Sequence, residues 1–282
     1  MMDVSLERPI ETGSFAPWSL SLWPPDSIRV VDWNIDRGLQ LSAAIDFLGD
    51  MKADLAILQE CDLNAKRTHH VNVAREIARK LRMNYVFGCE FQELSQGSRS
   101  SPAYHGQATL SPWPLANPRI LRFRRQSNFW QPRWFIPDIE PFQERIGGRM
   151  ALITELNLAG RHLVVYNLHL ESRGDDGMRC SQLDECLSDS NRFKPSLPIV
   201  LAGDFNFDVS RTPICQGLSA ADFRNAFSNQ HSLTTPPKSL FDRGKAIDWI
   251  LVRGPIRATR PQVHSSAPGS DHYPISLTVA FV

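Results

Sequence analysis

The chain has 282 residues, 42% of them hydrophobic, and sets 31 lysines and arginines against 30 aspartates and glutamates for a formal net charge of +1. That length buries enough apolar surface to fold without staples, and the near-neutral balance excludes a molecule that is basic all over and grips polyanions indiscriminately. Five cysteines (Cys61, Cys89, Cys180, Cys186 and Cys215) with no Cys-x-x-Cys pair exclude a fully paired disulfide framework and predict free thiols in a reducing compartment, the cytoplasm.

Residues 1–27 hold Pro17, Pro24 and Pro25 and little periodicity, so they read as an N-terminal extension ahead of one domain over 28–282. Neither a leader nor a membrane anchor is expected there. From Ile28 the pattern alternates: a strand to Asn34, a helix near Leu41–Met51, a strand Asp54–Gln59, a helix near Asn72–Arg82 and a strand Tyr85–Cys89. Beyond a loop at Gly97–Pro102 come strands around Gln107–Leu110 and Arg119–Arg124, an arginine- and aromatic-rich stretch, and strands Arg149–Leu156 and Leu163–Leu168. A helix near Met178–Leu187, a strand Ile199–Ala202, a short helical region Ala220–Phe227 and strands Ala246–Leu251 and Ile275–Phe281 complete the chain. Strands outnumber helices and lie close in sequence, which favours hairpins and mixed sheets over a doubly wound parallel sheet.

Several of these strands end by delivering polar groups. Val30-Val31-Asp32-Trp33-Asn34, Leu55 to Gln59-Glu60, Leu163 to Asn167-Leu168-His169 and Leu201-Ala202-Gly203-Asp204-Phe205-Asn206 all do so, and Ser270-Asp271-His272 precedes the last strand. One Gly-Asp-x-Asn is an ordinary turn, since Asp and Asn bond their own backbone. The recurrence of polar groups at the ends of apolar runs points to an assembled hydrolytic centre. Asp248 lies inside an apolar strand, and a buried carboxylate needs a partner.

The ordered set Trp33-Asn34, Gln59-Glu60, His169-Leu170-Glu171, Gly203 to Asn206, Ile247-Asp248 and Ser270-Asp271-His272 resembles the endonuclease/exonuclease/phosphatase family of metal-dependent phosphodiesterases, from about Ile28 to the C-terminus. The resemblance implies an α/β (α+β) fold, a four-layer sandwich of two mixed sheets packed face to face with helices on the outer faces. It implies Mg²⁺ or Mn²⁺ held by Glu60, with the Asn34 amide oxygen and Asp271 near the ion, in keeping with the preference of Mg²⁺ for hard oxygen ligands. Asp204 and Asn206 would orient and deprotonate a water, Asp204 acting as base or as ligand of a second metal. His169 and His272 would donate to phosphate oxygens if protonated or in a suitable tautomer, and Asp248 would fix the tautomer of His272. Gln107 stands where the family often carries an asparagine, and Arg145 and Arg149 flank Gly147-Gly148; these three are candidate substrate contacts.

The runs Trp33 to Asp36 and Asn167 to Gly174 look closer to the tyrosyl-DNA phosphodiesterase and general phosphohydrolase branches than to the abasic-site nucleases. The expected substrate is a phosphodiester, nucleic acid first, with no obligate protein partner. A lipid or sugar-phosphate substrate is one alternative. A non-catalytic binding module is another, against which the intact Glu60, Asp204, Asn206, Asp248 and His272 argue. Arg119, Arg122, Arg124, Arg125, Arg133, Arg145 and Arg149, interleaved with Phe129, Trp130, Trp134 and Phe135 and offset only by Asp138, Glu140 and Glu144, read either as a substrate-gripping insertion or as a loop whose aromatics pack on the core. His69-His70 reads as surface.

Overall fold

The computed structural model describes residues 10–17, 23–137, 139, 142–210, 217–227, 233–237, 239 and 242–282. In chain order its strands are β1 (Ile10–Ser14), β2 (Ser27–Asn34), β3 (Leu55–Leu63), β4 (Asn84–Glu93), β5 (Ala103–Ser111), β6 (Leu115–Arg122), β7 (Arg145–Gly147), β8 (Met150–Leu158), β9 (Arg161–His169), β10 (Ile199–Asp204), β11 (Arg224–Asn225), β12 (Asp248–Arg253), β13 (Ile256–Val263) and β14 (Ile275–Phe281). Its α-helices are α1 (Leu41–Asp50), α2 (Val73–Leu81) and α3 (Asp176–Ser190). One sheet runs β1-β4-β5-β3-β2-β14-β13, with β7 paired to β4; the other runs β11-β12-β10-β9-β8-β6. The pairs β2/β3 and β9/β10 are parallel and their neighbours antiparallel, so both sheets are mixed.

The period of two in a strand assigns side chains to layers. In β2 and β3, Val31, Trp33, Ala56 and Leu58 join an apolar cluster with Ala44 and Leu48 of α1 and Val73, Ala74, Ile77 and Ala78 of α2. The alternate residues Ile28, Val30, Leu55 and Ile57 instead join a cluster with Ile153, Val165 and Leu201 of the second sheet, which also takes in Leu183, Cys186 and Leu187 of α3. Tyr166, on the other face of β9, donates its hydroxyl to Asp189 of α3. The order is helices, sheet, sheet, helix. Each fully buried Ile or Leu in these layers contributes about 1.5–3 kcal/mol of transfer free energy.

The inter-sheet stripe that begins apolar ends polar, and that switch positions the site. On β2, Ile28 and Val30 give way to Asp32 and Asn34; on β3, Leu55 and Ile57 give way to Gln59. Gln59 Nε2 donates to Asp32 Oδ1 at 2.8 Å and across the sheets to Asn167 Oδ1 at 3.0 Å. Because β2 runs parallel to β3, β9 runs parallel to β10, and the antiparallel β12 starts opposite the end of β10, all the polar ends meet at one edge. Gly203 permits the approach of β10 to β9: its φ is 145°, and a Cβ there would lie 1.9 Å from Leu168 O. Gly203→Ala is therefore expected to cost roughly 3 kcal/mol of stability, measured as a lowered urea midpoint, whereas an unchanged midpoint would show that the two strands can part freely.

Several expectations are corrected. Within the span read as an extension, Ile10–Ser14 form an edge strand paired with β4. β13 was not foreseen because it is a polar edge strand carrying Pro261, held by main-chain pairing to β14. The helical region expected over 220–227 ends early: residues 217–220 are helical, and Arg224–Asn225 pair with β12. Most arginines of the 119–149 stretch are structural. Arg119 pairs with Asp189, and Arg122 donates to the carbonyls of Cys89, Glu90 and Gly148. Arg145 and Arg149 are buried, whereas Arg124, Arg125 and Arg133 are exposed, as are Phe129, Trp134 and Phe135. Among the described residues Cys61, Cys89, Cys180 and Cys186 are free thiols, and no helix is long and apolar enough to cross a membrane. Cys215, Asp138 and Glu140 lie outside the described residues.

Candidate active site

Glu60 owes its direction to a break in strand pairing. The register of β3 on β5 shifts between Leu58 and Cys61, and Glu60 sits in this irregularity with a left-handed backbone, φ 54°. Such a conformation is uncommon for glutamate, and a bulge next to a site characteristically re-aims one side chain. Burial alone would raise the Glu60 carboxyl, but Arg37, His105, His169 and Arg145 together hold it well below the usual carboxylate range. Asp36 lies beside it in a turn after β2; burial pushes its carboxyl up, Arg37 works against this, and the Asp271 and Glu60 carboxylates add to it. Asp36 thus has two carboxylates, Glu60 and Asp271, within electrostatic reach, a loose acidic group. Asn34 links that group to the next: its Oδ1 accepts from Asp36 N at 3.1 Å, while its Nδ2 donates to Asp204 Oδ2 at 3.2 Å.

Asp204 Oδ2 is the point on which the rest converges. His169 Nε2 is 3.5 Å from it and His272 Nε2 3.7 Å. Its other oxygen accepts from Asn206 N at 2.8 Å, a contact made possible by the left-handed Asn206 (φ 55°), whose Nδ2 is committed to Leu170 O. Burial raises the Asp204 carboxyl to about 7; the His272 charge lowers it and the Asp248 charge raises it.

The two histidines are in different states. Nδ1 of His272 is 3.0 Å from both oxygens of Asp248, so it carries a proton. Burial would lower the pKa of this ring, yet Asp248 and then Asp204 overcome it and push it up to about 10, making it an imidazolium at neutral pH. Its loop is fixed by Ser270, whose Oγ donates to Asn34 O and accepts from His272 N, and by Trp33 Nε1, which donates to His272 O. Thr234 Oγ1 accepts from the backbone N of Asp248. His169, in contrast, is held well below its usual pKa by burial and by the Arg149 charge. Arg149 Nη1 stands 2.8 Å from His169 Nδ1, and a guanidinium can only donate, so Nδ1 accepts and the proton of this neutral ring is on Nε2. Arg149 in turn pairs with buried Glu90 at 2.9 Å.

The structure thus brings together Asn34, Glu60, His169, Asp204, Asn206, Asp248, Asp271 and His272. The three expected substrate contacts are engaged with partners inside the protein. Gln107 is fully buried between the sheets and donates to Met150 O. Arg145 is packed between Glu93, 2.8 Å away, and the rings of Phe91 and Trp130. Arg149 acts on His169. Asp32 was missed as a site neighbour; it is buried, and burial followed by the Asp248 charge pushes its carboxyl well up. The signal was present, since Asp32 interrupts an apolar run just as Asp248 does.

Residues 33–272 match the profile of the Endonuclease/Exonuclease/phosphatase family. Among curated proteins, none matches the chain at a significant level. Of solved structures, an endonuclease/exonuclease/phosphatase from Beutenbergia cavernae is similar with a TM-score of 0.64 and 15% identity, covering 91% of this chain and 72% of its own. TDP2 from C. elegans gives 0.62 and 18%, covering 90% and 75%. A family protein from Leptotrichia buccalis gives 0.64 and 15%, covering 90% and 100%. At these identities the likeness establishes the two-sheet sandwich, and the profile match over most of the length establishes that the chain belongs to the endonuclease/exonuclease/phosphatase family.

Proposed function

We propose that the chain is a Mg²⁺- or Mn²⁺-dependent phosphodiesterase acting on nucleic acid. The observation that carries this is the convergence of an imidazolium, a neutral imidazole and an asparagine amide on Asp204 Oδ2, beside a separate group of three carboxylates. Glu60, Asp36, Asp271 and the second lone pair of Asn34 Oδ1 are all hard oxygen donors, the ligand class that a divalent ion such as Mg²⁺ takes, and this donor chemistry fits the ion. When bound, the ion would neutralise phosphate charge and the leaving oxygen. Asp204, Asp248 and His272 also bring potential ligand atoms within 4.8 Å of one another, but His272 Nδ1 and both Asp248 oxygens are engaged with each other, which favours Asp204 as a base over a second metal ligand.

In this reading Asp204 accepts a proton from the attacking water, which the amide oxygen of Asn206 can help to orient. His272 donates from Nε2 to a phosphate oxygen as a cation, and His169 donates from Nε2 as a neutral group, so charge developing on the pentacoordinate phosphorus meets donors already in place. Asp248 keeps His272 charged and aimed; Arg149 keeps His169 in the donor tautomer. Exposed Arg124, Arg125 and Arg133 with Phe129, Trp134 and Phe135 support a nucleic-acid substrate. The free thiols support a reducing compartment such as the cytoplasm.

The test is a panel of plasmid DNA, a 5′-tyrosyl oligonucleotide, single-stranded RNA and phospholipid vesicles, each with Mg²⁺, Mn²⁺ or EDTA. Metal-dependent cleavage of a nucleic acid is the expected result; cleavage of the vesicle lipid alone would move the substrate to the lipid class.

A further inference from the structure

Arg37 has no task in the chemistry above, yet the chain goes to some length to place it. Asp36, Arg37 and Gly38 all have left-handed backbones, with φ of 43°, 64° and 78°. Two successive non-glycine residues in that region are costly and persist only where the surroundings over-determine them. Here they do. Gly38 N donates to Ile35 O and Leu39 N to Asp36 O, and a Cβ on Gly38 would come within 2.6 Å of Val73 Cγ1, so the turn is pressed against the start of α2. The outcome is the direction of one side chain: the Arg37 guanidinium pairs with the Asp36 carboxylate and stands 3.8 Å from Glu60 Oε2. It is a quarter exposed, so it can leave without disturbing the core.

We propose that Arg37 is a tethered cation that neutralises the Glu60 and Asp36 carboxylates in the metal-free protein and competes with the divalent ion for them, so that it sets the metal concentration at which the site loads. This rests on the reading of Glu60, Asp36 and Asp271 as the metal-holding group. A guanidinium is charged at every working pH, so the competition cannot be relieved by deprotonation and is relieved only by movement of the side chain. Two ions of like sign cannot both stand within about 4 Å of Glu60 without mutual repulsion that survives solvent screening.

The experiment is a Mn²⁺ titration of the full chain, followed by the electron paramagnetic resonance signal of free Mn²⁺ and by calorimetry, on wild type, Arg37→Gln, Arg37→Gly, Arg37→Lys and Glu60→Gln. Arg37→Gly removes the charge and relieves the left-handed backbone together, so it keeps the test usable if Arg37→Gln folds poorly. Both neutral variants are expected to bind Mn²⁺ about tenfold more tightly than wild type, with Arg37→Lys close to wild type. In the metal-free state Arg37→Gln is expected to melt below wild type, with the gap closing at saturating Mn²⁺. Unchanged or weaker binding by both neutral variants, with Glu60→Gln still abolishing it, would overturn the role of Arg37 alone. Absence of binding by every form, wild type included, would overturn the metal-holding assignment and this inference with it.

Discussion

Asp204→Asn is expected to lower kcat by roughly 10²- to 10⁴-fold while leaving the fold intact, because the substitution removes the proton acceptor and keeps the number of heavy atoms in a buried site. Far-ultraviolet circular dichroism and the melting temperature check the second half of that statement. The pH dependence follows from the two buried groups. A base must be ionised, so the rate rises with pH as Asp204 deprotonates, near 7. A cationic donor must stay protonated, so the rate falls as pH passes the His272 value of about 10. The two groups are in electrostatic contact, so the limbs of the bell belong to the pair. Asp248→Asn removes the main charge that holds the His272 pKa up and leaves burial to pull it down, so the alkaline limb is expected to move to lower pH. An unmoved alkaline limb in that variant would remove His272 from the donor role.

Glu60→Gln is expected to be the second large effect. It keeps the size of the side chain and removes a carboxylate that Arg37, His105 and His169 hold ionised against burial. Losing metal stabilisation of the phosphate charge costs several kcal/mol, and about 4 kcal/mol would correspond to roughly a thousandfold in turnover. The variant should also lose the Mn²⁺ signal change, which separates a metal effect from a general loss of geometry. Turnover within a few-fold of wild type would show that Glu60 is a structural residue of the β3 bulge and nothing more.

The parts of this site that are legible in the amino-acid sequence share one property: they sit where a strand pattern breaks. Asn34, Gln59, His169 and Asp204 end apolar runs, and Asp248 violates one from within. The partner demanded by that violation is His272, 3.0 Å away. The layers are not legible in the strand pattern, because β2 and β3 bury apolar residues on both faces; the family resemblance implies them. What is not legible depends on contacts between residues far apart in the chain. Nothing local shows that Arg149 ends beside His169 and fixes its tautomer, or that Gln107 faces Met150 O instead of a substrate. β1 and β13 escape notice because edge strands need only main-chain pairing and carry weak apolar signals. The left-handed residues Asp36, Arg37 and Glu60 escape it because aspartate alone among them is tolerant of that backbone, so composition gives no sign of the turn or the bulge.

The most direct measurement is hydrolysis of bis-p-nitrophenyl phosphate by wild type and His272→Ala, each with Mg²⁺ or Mn²⁺ and again in EDTA, on protein shown to be folded. The expected result is turnover by wild type that depends on the metal and is lost in both the chelated sample and the variant. Equal turnover by His272→Ala, or turnover by wild type that survives EDTA, would contradict a centre in which an ion held at Glu60 acts together with Asp204, Asp248 and His272.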